Sequence, residues 1–185
     1  MKRTIPLILS LLLLGGILSC TPKSEYEQLV ERELNRDVRM DSLFLGYYLG
    51  MPLDEFLEHS LQLNRSQVIT GGTKIAYKPE GLEHTATMVF YPEFRDRKIV
   101  SLPIEIQYDG WAPWNGHLVS DSLLASIEEI YEQRYNTSFI THTFPGDEAP
   151  SRVSVQGNRQ IKLYRKTDQK AEIEFTDLTA RENSP

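Results

Sequence analysis

Residues 99–108 read IVSLPIEIQY and carry the clearest structural signal in the chain. Apolar side chains alternate with small or polar ones along this run, which is typical of a β-strand with one buried face. Pro103 has no N–H to donate to a neighbouring strand, so we expect this strand to lie at a sheet edge or to carry a bulge at Pro103. The residues expected on the buried face are Val100, Leu102, Ile104, Ile106 and Tyr108, and those on the other face are Ser101, Pro103, Glu105 and Gln107.

Other short runs with the same alternation predict further strands on both sides of this one. Gly71-Gly72 and Gly157-Asn158 are two-residue turn signals between such runs, so each predicts a hairpin. The predicted strands cover residues 68–70, 73–77, 87–91, 139–144, 152–156, 159–165 and 170–176.

Three segments have helical spacing of apolar residues instead. Residues 25–36 predict an amphipathic helix, and Pro52 suits the first helical position of a second helix, where its missing N–H costs nothing. We expect Leu53, Phe56, Leu57 and Leu61 to form the buried stripe of that second helix. Ser120 or Asp121 is expected to cap a third helix that continues to Tyr135. Residues 43–49 are aromatic-rich and predict an extended segment.

The order of these elements predicts an α+β fold with helices packed on one face of a mostly antiparallel sheet. We expect a single domain over residues 25–180, followed by a disordered tail at 181–185. A chain of this length can bury about two-thirds of its unfolded surface.

The N-terminus has the layout of a secretory signal peptide. Lys2 and Arg3 precede an apolar run, and Gly15-Gly16 and Ile17-Leu18-Ser19 lead to Cys20, the only cysteine of the chain. A transmembrane helix is the alternative, but such a helix needs about 20 apolar residues and this run is shorter and carries Pro6. We therefore expect residues 1–19 to be a signal peptide.

Ile17-Leu18-Ser19-Cys20 resembles the lipobox of bacterial lipoproteins. The resemblance implies that Cys20 becomes the mature N-terminus and carries covalent N-acyl and S-diacylglycerol lipid, with residues 20–24 as the lipidated tether. Two or more acyl chains hold a protein firmly on a membrane without crossing it. Thr21, in place of an aspartate, implies sorting to the outer membrane by analogy with Gram-negative lipoproteins, with either the periplasmic or the surface face possible.

The composition excludes several classes of partner and bond. The formal net charge is −6, and removal of Lys2 and Arg3 leaves a more acidic mature chain. An acidic domain repels phosphate backbones, so we expect no nucleic-acid partner. With one cysteine, the chain forms no internal disulfide.

Two local resemblances suggest relatives. Leu49-Gly-Met-Pro-Leu-Asp-Glu-Phe56 resembles the strand-to-helix turn of small outer-membrane lipoproteins of the SmpA/OmlA type, whose β-lactamase-inhibitor-like fold packs a helical pair on a short antiparallel sheet. Glu25-Tyr-Glu27, Asp41-Ser-Leu-Phe-Leu-Gly46 and Trp111-Ala-Pro-Trp-Asn115 are similar to segments of uncharacterised outer-membrane lipoproteins of Bacteroidota-type bacteria. These resemblances imply a scaffold or binding role in the envelope.

The loop after the clearest strand is the best candidate for a binding site. Aromatic rings there have polar neighbours, a combination that can stack on a sugar, clamp an extended peptide or anchor a protein contact. The alternative is that both indoles fold back to close the sheet over the third helix. The candidate residues are Tyr108, Trp111, Trp114, Asn115 and His117.

Motifs for catalysis are missing from the sequence. The four histidines are scattered, zinc needs three or four convergent ligands, and no Gly-x-Ser-x-Gly motif occurs. We expect no enzymatic activity, no metal site and no cofactor besides the lipid on Cys20. The sequence therefore predicts a membrane-anchored, non-catalytic structural or protein-interaction module with an envelope protein as partner. The alternative is a glycan- or peptide-binding lipoprotein that uses the Trp111/Trp114 loop.

Overall fold

The computed structural model describes residues 22–72 and 74–181. The predicted signal peptide at 1–19, the predicted lipidation site Cys20 and residues 182–185 of the tail predicted at 181–185 lie outside these residues. Among the described helices, none is both long enough and apolar enough to span a bilayer.

One antiparallel sheet contains every strand in the described part of the chain. Its path runs β1-β2-β3-β5-β9-β8-β7-β6, and β4 pairs with β5 beside β3. All described pairings are antiparallel. The strands are β1 Ile69–Gly71, β2 Ile75–Tyr77, β3 Ala86–Phe90, β4 Glu93–Arg95, β5 Lys98–Tyr108, β6 Ile140–His142, β7 Ser151–Gln156, β8 Arg159–Arg165 and β9 Lys170–Asp177.

The helices are α1 Glu25–Leu34, α2 Leu53–Arg65, α3 Ser120–Tyr135 and the short α4 Leu178–Arg181. Ser24 begins α1 with a capping box, in which its hydroxyl accepts from the Glu27 N–H and the Glu27 carboxylate accepts from the Ser24 N–H. With these helices and the sheet, the α+β fold class is confirmed.

The main core lies between the sheet and the helices α2 and α3. Phe56 of α2 and Leu123, Ile127 and Tyr131 of α3 are buried here against the inner residues of the central strands. Side chains of neighbouring strands lie opposite one another on this face, because the sheet register aligns them. The aligned strand residues are Leu102, Ile104 and Ile106 of β5, Ile161 and Leu163 of β8, and Ile173 and Phe175 of β9.

A smaller apolar cluster lies on the opposite face, where α1 covers one end of the sheet. Val153 and Val155 alternate with Arg152 and Ser154 along β7, so they point away from the main core. Tyr26 of α1 packs in this cluster, and its hydroxyl donates to Gln160 Oε1 at 2.6 Å. Helix α1 therefore lies against the β7–β6 side of the sheet.

The strand containing Pro103 is central, so the prediction of an edge strand is wrong. β5 pairs with β9 on one side and with β3 and then β4 on the other. The change from β3 to β4 leaves Leu102 and Pro103 without partners on that side, so a residue without an N–H is tolerated there. A bulge does occur, but at Val100 rather than at Pro103, where the register shifts opposite Glu93 and Phe94.

Three local predictions on the helical side are corrected. Leu57 and Leu61 are 51% and 49% exposed, because α2 is turned so that Phe56 faces the core. Residues 43–49 form a tight loop, in which the Leu43 N–H donates to Tyr47 O, the Tyr47 N–H donates to Phe44 O, and Leu45 has a φ of 55°. Helix α3 has no side-chain cap; Val119 occupies the N-cap, and the Ser120 hydroxyl instead donates to Thr167 O at 2.7 Å.

The predicted turn at Gly157-Asn158 is confirmed, and it also fastens the chain between α1 and α2. Gly157 has a φ of 53°, and its N–H donates to Glu33 Oε2 at 3.2 Å. Asn158 Oδ1 accepts from the Met40 N–H at 2.7 Å. The hairpin turn therefore holds the end of α1 and the segment after it against the sheet.

Candidate functional site

Residues 109–119 form a loop that begins where β5 ends. Tyr108 pairs with Ala86, and Gln107 pairs with Lys170, so the loop emerges beside the segment before β3 and the turn between β8 and β9. The Ser120 N–H donates to Asp168 O at 2.9 Å, which fixes the far end of the loop to that turn. We call residues 109–119 the tryptophan loop.

Asp109 anchors the near end of the tryptophan loop. Its N–H donates to Thr85 O at 3.0 Å, its carboxylate accepts from Thr87 Oγ1 at 2.6 Å, and Lys78 Nζ lies 3.0 Å away. The hydrogen bond from Thr87, followed by that from Lys78, holds the pKa of Asp109 below its ordinary value. The carboxylate thus ties the loop to β3 and to the segment after β2.

The free energy of unfolding of an Asp109→Asn chain is expected to fall less on acidification than that of the parent chain. A carboxyl with a lowered folded-state pKa contributes stability above its unfolded pKa, and the contribution disappears as the pH falls through the folded value. Since solvent screens this group, we expect a cost of at most about 1 kcal/mol at pH 7. Urea denaturation at pH 7 and at pH 3 measures the free energy of unfolding. The difference between its values at the two pH should be smaller than in the parent chain. Asp54→Asn, which removes the exposed partner of Arg97, is the matched control.

Hydrogen bonds inside the loop hold its shape between these two anchors. Asn115 Nδ2 donates to Gly110 O at 2.8 Å, and the Leu118 N–H donates to Asn115 O at 2.9 Å. The Ser122 hydroxyl of α3 donates to His117 O at 2.6 Å. Leu118 is buried in the core, so the loop also has an apolar anchor. The aromatic side chains are therefore presented from a fastened backbone.

The structure separates the five residues predicted for the site. Tyr108 is only 5% exposed and belongs to the main core, whereas Trp114 is 83% exposed at the tip of the loop. Trp111 and Asn115 are half-buried, and His117 is exposed. The arrangement in which both indoles fold back over the sheet does not hold for Trp114.

The two indoles do not form a shared stacking platform. Within the described residues, neither Trp111 nor Trp114 makes a ring contact with another aromatic side chain. Tyr108 contacts His84 instead, with ring centres 6.0 Å apart. The exposed feature of this loop is therefore one projecting indole, a shape that fits an apolar pocket on another molecule.

His84 is a neighbour of the loop that sequence reasoning missed. Its ring lies 5.4 Å from the ring of His117, centre to centre. The two histidines are far apart in the sequence, and they meet because β3 and β5 are antiparallel and pair at Ala86 and Tyr108. The only sequence signal for this contact is that His84 shortly precedes β3 and His117 lies in the loop that follows β5.

The described surface offers shallow grooves rather than a deep cleft. One groove of about 550 Å³ is lined by residues 146–151 and 164–166. Lys162 Nζ lies 2.8 Å from the Asp147 carboxylate beside it, so that charge is already paired. Another groove, of about 520 Å³, lies between α1 and the segment 136–140. Both grooves are lined mostly by polar and charged residues, whereas small-molecule sites are lined mostly by apolar and aromatic side chains.

The Glu128 carboxylate of α3 is held in an ion pair with Arg152 of β7. The Glu128 carboxylate accepts from Arg152 Nε at 2.9 Å and 3.0 Å, and this contact raises the pKa of Arg152 above its ordinary value. No group of three or more His, Cys, Asp or Glu residues is gathered for a metal ion within residues 22–72 and 74–181.

Comparisons with protein-family models, with curated proteins and with solved structures find no match to this chain.

Proposed function

We propose that this chain is an outer-membrane lipoprotein whose domain acts as a non-catalytic protein-interaction module, with Trp114 as the residue that enters its partner. The observation that carries the proposal is the exposure of Trp114, 83%, on a loop fastened at both ends. An exposed indole is costly to leave in water and is the kind of side chain that anchors a protein interface.

The fastened backbone strengthens this assignment. Binding is weakened by the cost of ordering loops and side chains at the interface. Asn115, Leu118 and Asp109 already hold the loop in one shape, so a partner that receives Trp114 orders little besides the indole itself. Binding free energy from the buried ring is then retained as affinity.

The proposed lipid anchor also favours binding to a partner. Only residues 21–24 separate Cys20 from α1, and a link of four residues holds a domain close to the membrane surface. A partner in the same membrane then meets the domain at a raised effective concentration, so a contact of modest affinity suffices.

A Trp114→Ala chain is expected to lose its partner while keeping its fold. Truncating an anchor residue at an interface costs about 2 kcal/mol or more, roughly thirtyfold in affinity. The tagged, lipidated chain is purified from its native envelope in mild detergent, and mass spectrometry measures the amount of each stoichiometric companion. Because the indole is exposed, the urea midpoint should stay within the error of the parent chain.

Leu61→Ala is the matched control, since Leu61 is an apolar side chain, 49% exposed, on the distant helix α2. A companion retained by Leu61→Ala and lost with Trp114→Ala supports the proposal. Purification of the parent chain without any companion contradicts it. A change in tryptophan fluorescence on addition of sugars or peptides to such a solitary chain supports glycan or peptide binding instead.

A further inference from the structure

We infer that His84 and His117 form an open two-histidine site for one divalent ion of the Cu²⁺ and Zn²⁺ class, beside the tryptophan loop. The inference stands on the histidine pair alone and does not depend on the proposed partner of Trp114. Imidazole nitrogen suits these ions, and the general affinity order places Cu²⁺ above Zn²⁺.

The fold brings the two rings together at one end of the β3–β5 strand pair. Ala86 and Tyr108 are register partners, so His84 lies just before β3 at the sheet end where the tryptophan loop begins. The loop then returns His117 to that end, held by the Ser122 hydroxyl on His117 O and by the buried side chain of Leu118. Both histidines are thus positioned by anchored backbone.

The spacing of the rings matches shared coordination of one ion. At a metal–nitrogen distance of about 2.0–2.1 Å and a tetrahedral angle, two imidazoles on one ion have ring centres roughly 5 Å apart. The observed separation of His84 and His117 is 5.4 Å, with 55° between the ring planes. Coordination of one ion requires that rotation of the exposed His117 side chain bring one nitrogen of each ring to the same point.

The ring nitrogens of this pair are also available. Within the described residues, neither the His84 ring nor the His117 ring makes a hydrogen bond or ion pair. The other two histidines are engaged elsewhere: His59 Nε2 lies 2.6 Å from Leu45 O, and the ring of His142 stacks on Tyr26 with centres 4.5 Å apart. Two of the four histidines thus remain as ligands, and they are the two that lie together.

The site is open, because the described residues supply no third His, Cys, Asp or Glu ligand to it. Asp109 is paired with Lys78 and Thr87, which removes the acidic side chain at the base of the loop. Two protein ligands leave at least two positions for water on a four-coordinate ion. An ion held in this way is exchangeable and presents free coordination positions to solvent at the tryptophan loop.

The test is a titration of the full, lipidated chain in detergent with Cu²⁺, followed by calorimetry and by tryptophan fluorescence. Trp111 and Trp114 are the two tryptophans of the chain, and both lie in this loop, so a bound Cu²⁺ is expected to quench their emission. We expect one ion per chain, displacement of Cu²⁺ by excess Zn²⁺, and a rise in dissociation constant of at least about tenfold for either His84→Ala or His117→Ala.

His142→Phe is the matched control, because phenylalanine keeps the aromatic stack on Tyr26 and removes only the imidazole. It should bind Cu²⁺ like the parent chain. The inference is overturned if His84→Ala and His117→Ala chains with parental urea midpoints keep parental affinity, or if the parent chain binds no ion. Calorimetry of Trp114→Ala separates this site from the proposed function: the ion should bind unchanged even where the partner is lost.

Discussion

A Gly157→Ala chain is expected to be less stable than the parent by roughly 2–5 kcal/mol, which for a domain of this size is a large share of the folding free energy. Two costs add. Gly157 has a φ of 53°, a left-handed conformation that L side chains adopt at a penalty of about 1–2 kcal/mol. An added Cβ would also overlap the backbone carbonyl oxygen of Val38, so the neighbouring segment has to move.

The second cost is the larger one because of what that segment holds. Moving Val38 disturbs the contact of the Met40 N–H with Asn158 and the hydrogen bond between Gly157 and the buried Glu33 carboxylate. Buried polar groups that lose their partners cost about 1–3 kcal/mol each. The substitution therefore loosens the end of α1 as well as the hairpin turn.

Gly146→Ala isolates the backbone cost from the overlap. Gly146 has a φ of 91°, and a Cβ there meets nothing within 4 Å. Urea denaturation of both variants should show a midpoint shift at least about twice as large for Gly157→Ala. Equal shifts would mean that the approach of Val38 contributes nothing and that only the turn conformation matters.

Much of the sheet could be predicted because its strands carry their own signal. Residues 159–165 and 170–176 alternate apolar and polar side chains, and the structure pairs them as β8 and β9 with one apolar face in the main core. The turn residues Gly157-Asn158 were sufficient to place the hairpin that joins β7 to β8. These are properties of neighbouring residues, which a sequence records directly.

The position of a strand within the sheet was not predictable in the same way. Pro103 indicated an edge, since a missing N–H is simplest to place there. In the structure a central strand tolerates it because two short strands, β3 and β4, meet opposite it. The accommodation depends on where β3 ends its pairing with β5, at Phe90, and where β4 begins its pairing, at Glu93. No pattern within residues 99–108 contains that information.

The candidate site was predictable as a loop but not as a geometry. The aromatic and polar composition of residues 108–117 was visible, and the alternation placed Tyr108 on the buried face of its strand. Periodicity says nothing, however, about which indole the following loop turns inward. Tyr108 continues the strand and is buried, and Trp114 projects into solvent. The contact between His84 and His117 is tertiary, created by strand pairing, and so it was beyond any local pattern.

A Cys20→Ser chain is expected to lose the acyl lipid proposed for Cys20 and, with it, nearly all of the proposed attachment to the outer membrane. Each buried CH₂ contributes about 0.8 kcal/mol, so the two or more acyl chains proposed for Cys20 hold the protein far more strongly than the acidic domain could. Radiolabelled palmitate followed by separation of inner and outer membranes measures both effects. Ser19→Ala is the matched control, because it keeps a small residue before the cysteine and leaves the thiol in place.

The two readouts distinguish the anchor from the leader. If the serine variant loses the label but sediments with the inner membrane, residues 1–19 remain attached as an uncleaved leader, and the lipid on Cys20 is still supported. If it is released in soluble form, cleavage takes place without lipid, and the anchor is Cys20 alone. A serine variant that keeps the label would place the lipid on another residue and remove the basis for the short tether at 20–24. The proposed advantage of Trp114 in meeting a partner within the same membrane would then need a different explanation, because that advantage depends on the tether holding the domain close to the bilayer.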